Sequence, residues 1–121
     1  MNTLLLVGKI LFSYLFVTSG INHFKNLEVM TGYANYKKLP FAKFGVLASG
    51  LLLIVAPILV IAGIATTWSL VALAAFLTAT ALIFHPYWKE TDPNNKMNEM
   101  IAFNKELSLI GSILAWIALI N

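Results

Sequence analysis

The sequence predicts an all-α fold: an integral membrane four-helix bundle with an interfacial loop between its first and second spans. Three observations predict it. The 121-residue chain is 60% hydrophobic and 11% charged, against roughly 45–50% and roughly 25% in a soluble domain. Its mean hydropathy is +0.83. Its apolar residues fall into four blocks, each close to the ~20 residues a helix needs to cross hydrocarbon. A chain this short is mostly surface once folded, so in water it would have nowhere to hide that apolar area. One domain, residues 1–121, is expected at this length. The same balance argues against a soluble enzyme, a disordered tail and a nucleic-acid-binding module. The chain has no cysteine, which removes disulfides, thiolate metal sites and dithiol chemistry of its own.

The first span covers about residues 3–20, with Lys9 as its one charge, inside the span and able to snorkel. No basic segment precedes it, and Val17-Thr18-Ser19-Gly20 is a poor cleavage site, so it reads as a retained helix, not a signal peptide. Loop 1 follows, about residues 21–43. Asn26 is expected to cap a short helix there, and Gly32 to end it. Tyr33, Tyr36, Phe41 and Phe44 interleave with lysines, a mixture that suits the headgroup layer. Leu39-Pro40 breaks the chain before the second span, about 44–64. Pro57 sits in mid-span and deprives the carbonyl of Leu53 of its N–H partner, a kink or a slot for a ligand. Loop 2 is a short link at Ala65 and Thr66, and the third span runs about 67–84. In loop 3, about 85–100, Asp92-Pro93-Asn94 reads as a turn, and Asn94 or Asn95 as the cap of a helix running into the fourth span, about 101–120.

The lysines set a direction. Loop 1 holds Lys25, Lys37, Lys38 and Lys43, loop 3 holds Lys89 and Lys96, and loop 2 holds none. The positive-inside rule puts loops 1 and 3 in the cytoplasm and both termini outside. Small residues suggest how the spans pack, because lipid supplies no hydrophobic drive between helices. They are Ser13 and Gly20 in the first span, and Gly45, Ser49, Ala56 and Gly63 (with Leu52) in the second. The third has Ala72, Ala75 and Ala79, and the fourth Ser108, Gly111, Ala115 and Ala118.

Polar chemistry gathers on the lysine-rich side. His23, His85, Trp88, Asn104 and Lys105 are the candidate cofactor-binding residues. Either histidine has the chemistry to hydrogen-bond a quinone carbonyl or, less favourably, to ligate haem; both also fit as simple hydrogen-bonded end residues. Lys105 and Glu106 read as neighbours that neutralise each other one turn into the last span. A zinc site would need further ligands at suitable spacing, so no metal is expected. No nucleophile–base pair or phosphate loop is present, and no acidic residue stands at the centre of a span, which argues against a proton-driven pump.

Gly8-Lys9-Ile10-Leu11-Phe12, followed by Ser19-Gly20-Ile21-Asn22-His23-Phe24, resembles the opening helix of the DoxX family. The stretch from Gly32-Tyr33-Ala34 to Leu39-Pro40 is similar to that family's first loop. Phe84-His85-Pro86-Tyr87-Trp88, Asp92-Pro93 and Phe103-Asn104-Lys105-Glu106-Leu107 resemble its His-x-x-Phe/Trp segment, its Asp-Pro turn and its Phe-x-Lys-Asn-Leu start to the last helix. Glu106 stands where that pattern has Asn, and Ala48-Ser49-Gly50 stands where many members have a glutamate. The resemblance implies a four-helix membrane protein whose relatives include small membrane subunits of thiosulfate:quinone oxidoreductase and membrane partners of oxidoreductases concerned with thiol and oxidative stress. Two functions stay open. One is a small, non-autonomous membrane subunit of a quinone-linked redox complex. The other is a non-catalytic scaffold or assembly factor that binds other membrane proteins or lipids, as a homo-oligomer or with partners. Transport is the weakest reading, because the spans carry so little charge.

Overall fold

The computed structural model describes residues 2–121. The described residues contain helices and no strand, so the all-α class holds: α1 (Thr3–Lys25), α2 (Leu27–Tyr36), α3 (Ala42–Ala62), α4 (Thr66–Phe84) and α5 (Pro93–Ile120), with a 3-10 turn at Tyr87–Lys89. Four stretches are long and apolar enough to cross a membrane: Thr3–Lys25, Ala42–Ala62, Thr66–Lys89 and Pro93–Ile120. The chain is therefore a multi-pass protein of the lipid bilayer. It divides into two compact units, residues 1–69 and 70–121, with the division in the first turn of α4.

Helix ends follow local chemistry. The side chain of Asn2 accepts from the N–H groups of Leu4 and Leu5 and starts α1. The chain turns at Asn26, and α2 begins. Asn26 occupies the capping position without capping; its amide pairs with Asn22 instead. Gly32 does not end α2. The helix runs on to Tyr36, because a glycine stops a helix only where the chain turns left-handed, and that turn comes at Lys38 (φ 64°) and Phe41 (φ 52°), on either side of Leu39-Pro40. α3 ends at Gly63, with φ 74°. The Gly63 N–H reaches the carbonyl of Val60 at 3.2 Å and the Ile64 N–H that of Leu59 at 3.0 Å, a Schellman end. The cap of α5 is Asp92, not Asn94 or Asn95: its carboxylate accepts the N–H of Asn95 at 3.0 Å, and Pro93 takes the first helical position, where no N–H is required.

In the first unit, the buried residues of α1 are Lys9, Ser13, Phe16, Gly20 and His23. Those of α3 include Val46, Gly50, Leu53, Pro57 and Val60. Both series step by alternating fours and threes, the spacing of a seam between helices that cross at a shallow angle. The helices run antiparallel. Near one end Gly20 meets Gly50, Leu53 and Ile54, and further along the Ser13 hydroxyl donates to the carbonyl of Pro57 at 3.5 Å. Lys9 does not snorkel to the surface; it is buried on this stripe, one helical turn from Ser13. Leu53 and Pro57 are fully buried, so the proline lies in packed surroundings and not in an open slot.

The small residues expected at contacts are buried in α1 (Ser13, Gly20) and at Ala56 of α3, but most of the others lie elsewhere. A Cβ at Gly20 would stand 2.8 Å from the Gly50 carbonyl oxygen, and one at Gly50 2.8 Å from the His23 Cβ. A Cβ at Gly45 or Gly111 would meet nothing within 4 Å. Gly50, not Gly45, is where the backbones close up. In α4 leucines line the buried side (Leu70, Leu73 and Leu77, with Ala81), while Ala75 and Ala79 are exposed. In α5 Ile113 alone is fully buried, and Ser108, Gly111, Ala115 and Ala118 are exposed.

Gly20→Ala is expected to destabilise the protein by about 1–3 kcal/mol, because the obstacle is backbone and α1 must move away from α3. Gly45→Ala, with open space, is expected to be neutral or mildly stabilising. Detergent-denaturation titrations of the two variants decide the point: equal midpoints would contradict the close approach at Gly20 and Gly50.

Candidate functional site

The site lies in the second unit. α4 stops at Phe84 because His85 precedes Pro86, and a residue before proline is driven out of the helical region. The 3-10 turn Tyr87–Lys89 follows, tied back by the Tyr87 N–H to the carbonyl of His85 at 2.9 Å. This break leaves His85 just past the helix end, facing α5. Glu99 and Glu106 lie seven residues apart on α5, two turns of one face.

His85 sits between them. Its Nδ1 is 3.0 Å from Glu99 Oε2, and its Nε2 is 3.5 Å from Glu106 Oε1. The other carboxylate oxygen of Glu106 accepts from the Thr80 hydroxyl at 2.9 Å. All three ionisable side chains are largely shielded, Glu106 the most. Both ring nitrogens face carboxylate oxygens, so the ring satisfies both as donor only with a hydrogen on each. Two carboxylates on one imidazole form a set of groups with the chemistry to hold a proton and to exchange it. Neither nitrogen of His85 is left to ligate haem iron, which needs a ring lone pair. Among the described residues no group of three or more His, Cys, Asp or Glu side chains is arranged to hold a metal ion.

Beside this group stands an aromatic trio. Trp88 meets Phe103 edge to face at 5.4 Å and 90°, Tyr87 meets Phe103 at 5.5 Å, and Tyr87 meets Trp88 at 5.2 Å. The structure therefore places His85 and Trp88 close together on one short turn. Asn104 and Lys105 are both exposed on α5. Lys105 does not neutralise Glu106: adjacent helical residues point about 100° apart, and Glu106 turns to His85 and Thr80. His23 belongs to the first unit, buried on α1, with its Nδ1 donating to the carbonyl of Ser19 at 2.7 Å. Glu99, Glu106 and Thr80 are absent from the candidates drawn from sequence. The seven-residue spacing of the two glutamates, opposite a histidine that ends a span, was the available signal.

A family model, DoxX, matches residues 4–86. That segment includes His85 and stops short of both carboxylates that flank it. No curated protein and no solved structure matches the chain.

Thr80→Val removes the hydroxyl that supports Glu106 and is expected to cost about 1 kcal/mol, the usual scale for a side-chain hydrogen bond inside a membrane protein. Lys105→Met, on an exposed position, is expected to stay within about 0.5 kcal/mol of the wild type. A double-mutant cycle on His85→Ala and Glu106→Gln, followed by detergent denaturation, is expected to give a coupling of about 0.5–3 kcal/mol; a coupling of zero would show that the two side chains do not interact.

Proposed function

The chain belongs to the DoxX family, and from that premise we propose that it is a small membrane subunit of a quinone-linked redox complex in a prokaryotic plasma membrane, with loops 1 and 3 in the cytoplasm and both termini outside. The observation that carries this reading is His85 held between Glu99 and Glu106 beside the Tyr87, Trp88 and Phe103 rings. A quinone head group needs a hydrogen-bond donor at a carbonyl oxygen and a flat apolar surface for its ring; the rings supply the surface, and the donor is the Nε2–H of His85, whose 3.5 Å contact with Glu106 is the looser of its two and would be exchanged for the carbonyl. When bound, a quinone supplies a couple that takes up two electrons and two protons.

The chain's own residues do the proton work. His85 presents an N–H and holds the proton to be exchanged. Glu99 accepts at Nδ1 and refills the ring from the solution side. Glu106, fixed by Thr80, holds the ring at Nε2. With no cysteine and no haem ligand at His85, electrons come from a partner subunit. Asn104 and Lys105, exposed on the next turn of α5, are placed to meet that partner or a lipid headgroup.

A second reading, a scaffold without chemistry, has its own support. α5 buries only Ile113 and leaves Ser108, Gly111, Ala115 and Ala118 uncovered, a surface suited to another helix.

The complex isolated in mild detergent separates the readings. Quinone is expected in the organic extract of the wild-type sample. His85→Ala is expected to lower quinone reduction by at least about 100-fold, the lower end for loss of a general acid–base group. Lys9→Met, outside this unit, is expected to leave it within about twofold, a change too small to count as a catalytic effect. A wild-type complex that carries no quinone, and whose properties survive His85→Ala, would leave the scaffold reading standing.

A further inference from the structure

The net charge of the whole chain resides between Lys25 and Lys43. That segment sets Lys25, Lys37, Lys38 and Lys43 against Glu28, and its balance of +3 equals the formal charge of the protein; elsewhere four lysines and four carboxylates cancel. The segment is also one physical end of the first unit. Lys25 is the last residue of α1 and Lys43 the second of α3, and because these helices run antiparallel both stand at the same end, with α2 between them in the chain. None of the four lysines is paired with a carboxylate among the described residues.

Three further features mark how this end is used. The Lys37 ammonium lies over the rings of Tyr33 and Tyr36, at 5.6 and 5.9 Å from their centroids, and those rings stack 6.4 Å apart. A cation held on aromatic faces keeps its N–H donors for an outside acceptor. Lys38 and Phe41 both take left-handed backbone conformations that a Cβ disfavours, and this turn leaves Phe41 85% exposed. Tyr36 and Phe44 are 77% and 72% exposed beside it. Uncovered aromatic rings level with the ends of two spans, interleaved with unpaired lysines, match the depth of the headgroup layer, where rings lie between polar and apolar material and ammonium groups meet phosphates. An acidic soluble partner would account for the lysines but not for the rings.

We propose that this end of the protein selects anionic phospholipids: Lys25, Lys37, Lys38 and Lys43 bind the phosphates, while Tyr36, Phe41 and Phe44 seat the turn among the headgroups. The preference is independent of any chemistry at His85.

The test uses the full chain in mild detergent with equal amounts of phosphatidylglycerol and phosphatidylcholine, read by native mass spectrometry. Wild type is expected to retain phosphatidylglycerol over phosphatidylcholine by at least about tenfold. Each lysine changed to Gln among Lys37, Lys38 and Lys43 is expected to lower that preference about fivefold, and the triple variant to abolish it. Lys89→Gln with Lys96→Gln, which removes like charges elsewhere, is expected to leave it unchanged. Helical circular dichroism checks folding, and the graded single variants carry the test if the triple variant does not fold. Equal retention of both lipids by the wild type, or an undiminished preference in the single variants, would overturn the proposal. So would displacement of phosphatidylglycerol by an equal concentration of inorganic phosphate, which would make this a free-anion site, or by polyglutamate, which would make it a site for an acidic protein.

Discussion

Hydrocarbon contains no water, so each polar group in a membrane span needs a partner within the protein. The backbone meets this demand by being helical. The side chains meet it mostly by leaning back on their own helix: Thr18 donates to the carbonyl of Tyr14 at 2.8 Å, Thr78 to that of Ala74 at 2.8 Å, and Ser112 to that of Ser108 at 2.9 Å. His23 does the same through Ser19. Groups that cannot be satisfied locally reach across. Ser13 reaches the carbonyl of Pro57 on α3, and Thr80 of α4 and His85 beyond its end meet carboxylates of α5. Thr31, whose hydroxyl oxygen is buried in α2 without a hydrogen-bond partner, lies outside the four spans and so outside this demand. Long-range order in each unit thus depends on a few polar bonds and on how closely backbones approach.

That constraint explains how much of the fold was legible. Four spans were plain from hydropathy, because length and apolarity decide whether a helix crosses lipid, and the breaks at Pro40, Gly63 and Pro86 follow from local backbone chemistry. The buried faces were harder to read. When a helix is apolar on every side, period no longer separates protein from lipid, and small residues occur on both. Gly50 and Gly45 are equivalent in sequence; only the neighbouring helix distinguishes them. On α1 the buried stripe carries Lys9, Ser13 and His23, so in this setting the polar residues mark the interior better than the apolar ones. The extra helix α2 was anticipated, but it continues past Gly32, because that glycine has open space and ordinary helical backbone.

The site was partly legible for the same reason. His85 and Trp88 are visible in the sequence as polar-edged rings at the lysine-rich end of a span. The carboxylates that give His85 its surroundings were passed over, because Glu106 beside Lys105 looks like a neutral pair in one dimension. On a helix those neighbours diverge, and only the seven-residue step back to Glu99 shows a common face. Pairing between elements leaves no mark in local sequence, so the part of the site that depends on α5 became visible only in three dimensions.

The length of α5 gives this site a property beyond hydrogen bonding. Twenty-eight residues span about 42 Å at 1.5 Å per residue, well beyond the ~30 Å of hydrocarbon. The helix therefore tilts or extends past the apolar layer, and Glu106 stands about 10 Å from Glu99 along its axis. The imidazole fills the gap between these two levels, with Glu106 the more shielded carboxylate. From Glu99 Oε2 through the ring to Glu106 Oε1 the path is at most about 9 Å, and whatever part of it lies along the membrane normal would expose a moving proton to the membrane potential, at about 2.3 kcal/mol per 100 mV for the full thickness. The pitch of one helix thus sets how far apart along its axis the two proton acceptors of this triad stand.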